Sequence, residues 1–599
     1  MDEGKNIRRS AILEIVGITI ILFTLCLILI QYALPFSILL NKTSLDSYVD
    51  VNNYFYKPLN KTLTPLGNYN PLSKVNDKRA DYSSYYSYVN YTQIESEAAL
   101  IGAGNYINKG NASSIVVLNY HGTIANNDTD EYSISIEDFK AHMFNLKKEG
   151  YETVKIKDFY EFLKGERDIP DKSFLLTFDD GIRDTYYNSD PVLKALNYSA
   201  VMFVITSQSI EQDRRYYLNA NELIEMQSSG RWEIESHSYE GHSRIKTNSE
   251  GKASPFFSNK MWLDEKQRLE SDEEFDYRVR NDLAVSKYQL EKSLGKEITG
   301  FALPFGEFGQ RETNYKGSES VILNATEDYY KMVFYQFKPA INKDFRANYA
   351  DEPGNDFYLV MRISADYIRS ADTLLQEMRA AQSLSLPYNE KFDNPKQWVS
   401  VWGRVNFTYI ENSVDCVIPP QNSLDGKFCT KNDTINRIFR NSIIISNNPG
   451  GGGAMVYLDG SYLWKDYQAN VVIDEHDVQK IILAARFHDS YNYIGCKYQS
   501  NSISIIKVNN QKKEEINETN IRHFPAVQNY LIGKPELGIR VVGNHVSCYI
   551  NNNLTVQAYL NDIPKNGGIG VRLENLDSGE QSIKFHSIKT EIIEKDLLY

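Results

Sequence analysis

The sequence predicts an α/β domain built on a parallel sheet or barrel, then an all-β sandwich, both carried behind an N-terminal membrane segment. Three observations predict this. Between Ser114 and Ala381 short apolar runs alternate with helical periods, the pattern of parallel strands joined by helices. Beyond Leu386-Pro387 the helical period fades and short strand-like runs with turn signals take over, which indicates a sandwich. Ala11 to Ile30 is mostly apolar, and about 20 such residues span a bilayer. A chain of 599 residues also exceeds what one hydrophobic core can organise.

Lys5, Arg8 and Arg9 precede the apolar stretch, which puts the N-terminus in the cytoplasm and everything after Leu40 outside. A cleaved signal peptide would have an apolar core of only ~7–15 residues and a small-x-small cleavage site. Gln31-Tyr32-Ala33 is a poor one, so residues 1–40 are expected to be a cytoplasmic tip and an uncleaved single-pass anchor in the cell membrane. Residues 41–112 are rich in Tyr, Asn, Ser and Lys with no sustained period, as in Asp81-Tyr82-Ser83-Ser84-Tyr85-Tyr86. They read as an extracytoplasmic stalk, with the alternative that part of this tyrosine-rich stretch lies on the next domain.

In residues 113–386, Ile115 to Leu118 is a buried-type strand ending in Asn119-Tyr120-His121-Gly122. Ser135 has the look of an N-cap with Asp138 three residues on, and Phe139, Met143 and Leu146 share a helical face that stops at Gly150. Val154 to Ile156 reads as a short strand, Phe159 to Leu163 as a short helix, and Phe174 to Phe178 as a buried strand. A helix near Val192 to Leu196, a strand Ala200 to Ile205 and a helix near Leu223 to Met226 follow. The strand Trp232 to Glu235 leads into Ser236-His237. After a polar insertion at Lys246 to Ser258, Phe275, Val279 and Leu283 mark a helix, then come Gly300 to Gly306, a strand Tyr358 to Met361 and a helix Leu374 to Ala381.

In residues 387–599 the strand-like runs include Tyr467 to Ile473, Ile481 to Phe487, Ser504 to Val508, Gly538 to Val542 and Ile583 to Ile592. Asp459-Gly460 and Gly543-Asn544 are turn signals between them. Exposed aromatics such as Trp464, Tyr491 and Tyr493 could stack on sugar rings, although aromatics in such strands are by default core. His476 and His488 show no ligand spacing.

The net charge of −13 argues against nucleic acid as a partner. Cys26 lies in the apolar stretch, while Cys416, Cys429, Cys496 and Cys548 fall in the last third. An even set in one extracytoplasmic domain could form two disulfides of unassigned pairing. Sequons such as Asn41, Asn90 and Asn406 would suit a glycosylated surface.

Three clusters sit at predicted strand ends: Asp179-Asp180-Gly181, His237 with His242, and His121. Two adjacent carboxylates repel each other unless a cation or a shared proton relieves them. Two His and a carboxylate with one open position make a catalytic divalent-metal site. On a regular helix His237 and His242 would point about 140° apart, so they need an irregular turn, which Gly241 would permit. Each cluster alone also reads as a capped turn or an ordinary loop residue; their joint appearance points to a site.

Thr177-Phe178-Asp179-Asp180-Gly181 with His237-Ser238-x-x-x-His242 resembles the first two motifs of the polysaccharide deacetylases, carbohydrate esterase family four, and Leu303-Pro304-Phe305-Gly306 resembles the third. The histidine spacing and Tyr120-His121-Gly122 are more similar to the poly-N-acetylglucosamine deacetylase branch. The resemblance, covering roughly His121 to Ala381, implies a distorted (β/α) barrel and metal-dependent de-N-acetylation of a surface or extracellular polysaccharide. It implies that Asp180, His237 and His242 hold the metal, most often zinc, with nickel, cobalt and iron as alternatives. Asp179 is then the base and His121 the acid. Pro304 and Phe305 contact the substrate, the Phe305 N–H helping to hold the oxyanion. The β-rich tail looks like a concanavalin-type jelly roll that could hold glycan.

Two departures stand out. The third motif commonly carries an Arg that orients the base, and Ala302 stands in its place, so base positioning must come from elsewhere. No late Leu-x-His motif is present; Arg362-Ile363-Ser364 is the nearest stretch. These motivate two alternatives, a non-catalytic carbohydrate-binding surface protein on the same scaffold and an O-deacetylase.

Overall fold

The computed structural model describes residues 91–101, 110–124, 132–212, 215–310, 313–337, 345–350, 355–408, 442–448, 452–476, 480–499, 502–510, 512–520, 535–574 and 581–593. The expected anchor, Cys26, Cys416, Cys429 and most of the expected stalk lie outside these residues. Among the described residues no helix is long and apolar enough to cross a membrane.

Seven parallel strands close into a barrel. They are β1 (Ser114–Tyr120), β2 (Ser173–Phe178), β3 (Ala200–Val204), β4 (Trp232–Ser236), β5 (Gly300–Ala302), β6 (Met332–Phe337) and β7 (Tyr358–Ser364). Each pairs with the next, and β7 returns to β1 with Leu118 opposite Ile363. The distortion is local: β4 meets β5 where Ser236 lies opposite Phe301. Ala347–Tyr349 adds an antiparallel strand outside β1.

Because side chains alternate across a strand, each barrel strand feeds two clusters. Ile115, Val117, Leu175, Val201, Phe203, Phe334 and Val360 fill the interior, while Val116, Leu118, Phe174, Leu176, Met202 and Ile363 pack under the helices. The Ile156–Leu163 helix joins the interior cluster through Ile156, Phe159 and Phe162 and plugs the amino end. Towards the carboxyl end the inward phase turns polar: Asn119, Thr177, Gln336 and Arg362 are all buried. The barrel is thus an apolar plug below and a hydrogen-bonding floor above.

The Ser135 cap is present, accepting from the Asp138 N–H at 3.1 Å. Three elements differ from expectation. Strand pairing stops at Thr153, and Ile156 starts the plug helix because its side chain is drawn into the barrel. The Ser318–Tyr329 helix buries Ser318, Ile322, Ala325 and Thr326, a face too small and polar to show an apolar stripe, so it and β6 after it were not anticipated. Tyr91–Leu100 is a helix against Arg183–Leu196 with Ile94 in the barrel core, so this part of the tyrosine-rich stretch lies on the barrel.

Among the described residues the tail forms two antiparallel sheets, one of eight strands and one of seven. The Cys496–Cys548 disulfide joins a strand of one sheet to a strand of the other. Trp464 and Tyr493 are core residues, 3 % and 0 % exposed, which follows the default for strand aromatics and sets aside sugar stacking at these two positions; Tyr491 is 46 % exposed. The Trp464 indole donates to the Leu384 carbonyl at 2.7 Å.

Barrel and sandwich meet through a buried ionic cluster. Arg346, just ahead of the outer strand, is 3 % exposed. It donates to Asp459 Oδ2 at 2.5 Å and to the Lys396 carbonyl, and pairs with Glu377 of the Ala371–Ala381 helix. Lys396 returns to Glu377 at 3.1 Å. Beside this cluster Phe345 packs its ring on Tyr457 of the sandwich at 4.9 Å.

Candidate active site

The site is built at the carboxyl ends of the barrel strands, where chain reversals bring loops together. After β2, the Asp179 N–H still reaches the Tyr120 carbonyl at 2.9 Å. Asp180 and Gly181 then both take left-handed backbone, φ 72° each. A side chain at Gly181 would also press on Val204 at 3.0 Å. This turn sends the two adjacent carboxylates in different directions, so neither must share a site with the other.

Asp179 points inward and is wholly buried. Arg362 Nη1 donates to its Oδ1 at 2.7 Å and Nη2 to its Oδ2 at 2.8 Å, a bidentate pair. Asn119 and Gln336 donate to Oδ2 at 3.2 and 3.1 Å. Arg362 Nη1 also reaches Asn119 Oδ1 at 3.0 Å, and the guanidinium lies 5.3 Å from the Phe203 ring. Burial alone would raise the Asp179 pKa, but the charge of Arg362, ahead of His237, overrides it and holds the carboxyl well below the usual range. Arg362 thus sets an arginine against this carboxylate, which Ala302 cannot.

Asp180 turns to the histidines: its Oδ1 lies 3.3 Å from His237 Nε2 and 3.2 Å from His242 Nε2. One ligand atom from each of the three residues falls within 4.8 Å of the others. His237 Nδ1 donates to the Ala302 carbonyl at 2.8 Å, an acceptor only, so in the neutral ring the Nε2 lone pair faces Asp180. Burial lowers the His242 pKa, which favours its neutral, ligating form. Asp180 Oδ1 is buried and has no hydrogen-bond partner. Two imidazole lone pairs and an orphaned carboxylate oxygen turned on one point fit a divalent cation.

His121, at the end of β1, stands on the other side of Asp179, with Nε2 3.8 Å from Asp179 Oδ2. Asp366 holds it twice, accepting from its backbone N–H at 3.1 Å and sitting 2.7 Å from Nδ1. Burial pushes the His121 pKa down, but the Asp366 hydrogen bond and charge, then Asp179 and Asp180, push it up to about 9. The Gln336 amide nitrogen donates to Asp179 Oδ2 at 3.1 Å and lies 3.1 Å from His121 Nε2, which accepts from it only while that ring nitrogen is unprotonated. Pro304 and Phe305 form a tight turn after β5, with Phe305 at φ 62° and its ring 4.7 Å from that of His242.

The sequence assigned no role to Asp366, Gln336 or Asn119, and Arg362 stood out only in the stretch nearest to a late Leu-x-His motif. One signal existed: Arg362 shares the inward phase of Val360, so a charged residue was placed where the strand should be apolar. Asp366 lies beyond the strand in a short turn, and nothing local links it to a histidine 245 residues earlier.

Residues 166–318 match the polysaccharide deacetylase family model. In this segment the chain is similar to the polysaccharide deacetylases. The matched segment includes Asp179, Asp180, His237, His242, Pro304 and Phe305, while His121, Gln336, Arg362 and Asp366 of the same barrel lie outside it. The chain is 26% identical over 281 residues to the poly-beta-1,6-N-acetyl-D-glucosamine N-deacetylase of Escherichia coli, spanning 42% of this chain and 42% of that protein. It is 28% identical over 177 residues to the enzyme of the same name from Staphylococcus epidermidis, spanning 29% and 54%. The chain thus matches about half, or less, of the length of these relatives. Among solved structures, a de-N-acetylase from Aggregatibacter actinomycetemcomitans aligns over 42% of this chain and 94% of its own, at 24% identity and a TM-score of 0.35.

Proposed function

We propose that this chain is a metal-dependent de-N-acetylase of a poly-N-acetylglucosamine-type polysaccharide, acting outside the cell from a membrane anchor. The observation that carries the reading is the division of labour around Asp179-Asp180: one carboxylate faces two histidine lone pairs, the other is clamped by Arg362 beside an Asp366-backed histidine. Asp180, His237 and His242 would hold a divalent cation, which would supply Lewis acidity towards the acetamide carbonyl and lower the pKa of a bound water. Asp179, kept ionised by Arg362, takes the proton of the attacking water. His121, protonated at neutral pH and steadied by Asp366, hands a proton to the departing sugar nitrogen. The Pro304-Phe305 turn and the exposed Tyr132 border this cluster. The Tyr132 ring lies 6.0 Å from His121, and the Tyr216 carbonyl accepts from the Arg183 N–H beside the Asp180 turn. Such aromatic edges suit a sugar ring.

An amide must lose an amine, a poor leaving group until protonated, so the His121–Asp366 pair favours N- over O-deacetylation. The non-catalytic alternative was motivated by missing machinery, and Arg362 and Asp366 stand where that machinery is needed. The disulfide between the sheets supports an oxidising, extracytoplasmic location. The test is acetate release from acetylated β-1,6-linked and chito-oligosaccharides with and without chelator. Release that stops with chelator and returns with zinc is the expected result. No release from these or any acetylated glycan, or release indifferent to chelator and to Asp180→Asn, would sink the reading.

A further inference from the structure

Two histidines five residues apart converge only if the chain between them is held in a turn that no helix or strand would enforce. Ser238 is at φ 80°, a backbone region costly for a residue with a side chain. Tyr239 is half-buried and Glu240 exposed, and the N–H groups of both turn inward to a common acceptor. Both are taken by one side chain. Asp282 accepts from Tyr239 at 3.0 Å on Oδ1 and from Glu240 at 2.7 Å on Oδ2, and is itself 3 % exposed.

Asp282 sits in the Asp272–Leu294 helix, between the apolar Val279 and Leu283. Ser286 and Gln289 follow on the same face, four and seven residues on. Ser236 Oγ meets Ser286 Oγ at 3.0 Å. Gln289 donates to Glu211 Oε1 at 2.6 Å, and the Tyr239 hydroxyl donates to Glu211 Oε2 at 3.1 Å. A buried polar stripe along one helix therefore grips the Ser236–Glu240 segment at three levels. Within this stripe Asp282 is the side chain that binds the backbone between the two histidines, while from the other side the Thr206 and Ser207 N–H groups donate to the Ser238 and Tyr239 carbonyls at 3.0 and 3.3 Å. Gly241 has its own role: a Cβ there would lie 2.1 Å from the Phe257 ring, so the turn passes too close to Phe257 for any side chain.

We propose that Asp282 is the positioning residue of the metal centre, fixing the His237–His242 turn so that both Nε2 atoms face Asp180. This rests on the reading of Asp180, His237 and His242 as metal ligands. Asp282 touches none of the three, so its loss acts on their arrangement alone. Supporting groups behind metal ligands typically carry a 10- to 100-fold effect on metal affinity.

The experiment titrates the purified full chain with zinc against a chromophoric chelator, and records the visible spectrum of the cobalt-loaded protein. Wild type, His242→Ala, Asp282→Asn and Asp282→Ala are compared. Asp282→Ala is expected to raise the zinc Kd about 10- to 100-fold. Asp282→Asn, which keeps one acceptor oxygen, falls between, with an altered cobalt spectrum in both variants. If Asp282→Ala fails to fold, the isosteric Asp282→Asn decides. A Kd within about threefold of wild type and an unchanged cobalt spectrum, in a variant whose only change is a lower melting temperature, would overturn the proposal. Unaltered zinc binding in His242→Ala would instead overturn the ligand reading, and this proposal with it.

Discussion

Arg362→Met removes the two charge-assisted hydrogen bonds to Asp179, of 2.7 and 2.8 Å, from a site where neither partner has any exposure. Breaking one side of a buried pair costs about 3–5 kcal/mol, because the remaining charge has lost its counter-ion. Set against a typical net stability of about 5–15 kcal/mol, the variant is expected to fold with a lower melting temperature. The Asn119 and Gln336 donors that remain soften the loss. The effect on turnover follows from the same geometry. With Arg362 gone, burial acts unopposed and raises the Asp179 pKa, and the carboxylate is free to shift. A displacement of about 1 Å costs roughly 100-fold, and full loss of a general base about 100- to 10,000-fold. The assay is acetate release as kcat/KM from pH 5 to 9, paired with urea unfolding.

The direction is fixed by the chemistry. Asp179 accepts a proton only when ionised, and in the wild type it is ionised throughout the range. In the variant its ionised fraction falls as pH drops through the raised pKa, so the acid limb of the profile moves to higher pH. Arg362→Lys, which keeps the charge and loses the fork, falls between. The depressed carboxyl is also a stability statement: its contribution is fully present above the unfolded carboxylate pKa of about 3.9 and is lost as pH falls through the lower folded value. An Arg362→Met enzyme with turnover within about threefold of wild type and the same acid limb would refute the clamp.

Asp366→Asn removes the group that raises His121, so the basic limb, expected near 9 in the wild type, moves down towards the unperturbed value of about 6.5; an unmoved limb would show that His121 is not the acid. Removing the disulfide with paired Cys496→Ala and Cys548→Ala should cost about 4 kcal/mol for a loop of this length, read as a fall in calorimetric melting temperature. Tyr216→Ala, which removes a 60 % exposed ring from a segment whose backbone is bonded to Arg183, should raise KM for an oligosaccharide about three- to tenfold with kcat little changed; a kcat loss instead would place the ring in the chemistry.

The barrel was legible because buried parallel strands write themselves as unbroken apolar runs, and β2 is one. The cluster of Asp180, His237 and His242 was legible because Asp180 and His237 follow closely on strand ends and Gly241 stands beside His242. The partners that tune them were hidden for a common reason. Arg362, Asp366 and Gln336 lie 157 to 245 residues from Asp179 or His121, so only barrel closure brings them together. Asp282 was hidden differently: the helix period around Phe275, Val279 and Leu283 marks the apolar face, and a polar stripe next to it reads as solvent. In the sandwich, Trp464 and Tyr493 followed the default for strand aromatics, since burying a large ring outweighs displaying it.

Arg346 gives the molecule a practical indivisibility. Cutting after Pro387 would strip Asp459 and Lys396 from the Arg346–Glu377 cluster and bare the Phe345 ring to water, a loss of about 3–5 kcal/mol from the charges alone. A barrel excised as a tidy catalytic cassette should therefore be poorly soluble and melt early. Transplanting it onto another sandwich would need a matched acid at the Asp459 position before any question of activity arises.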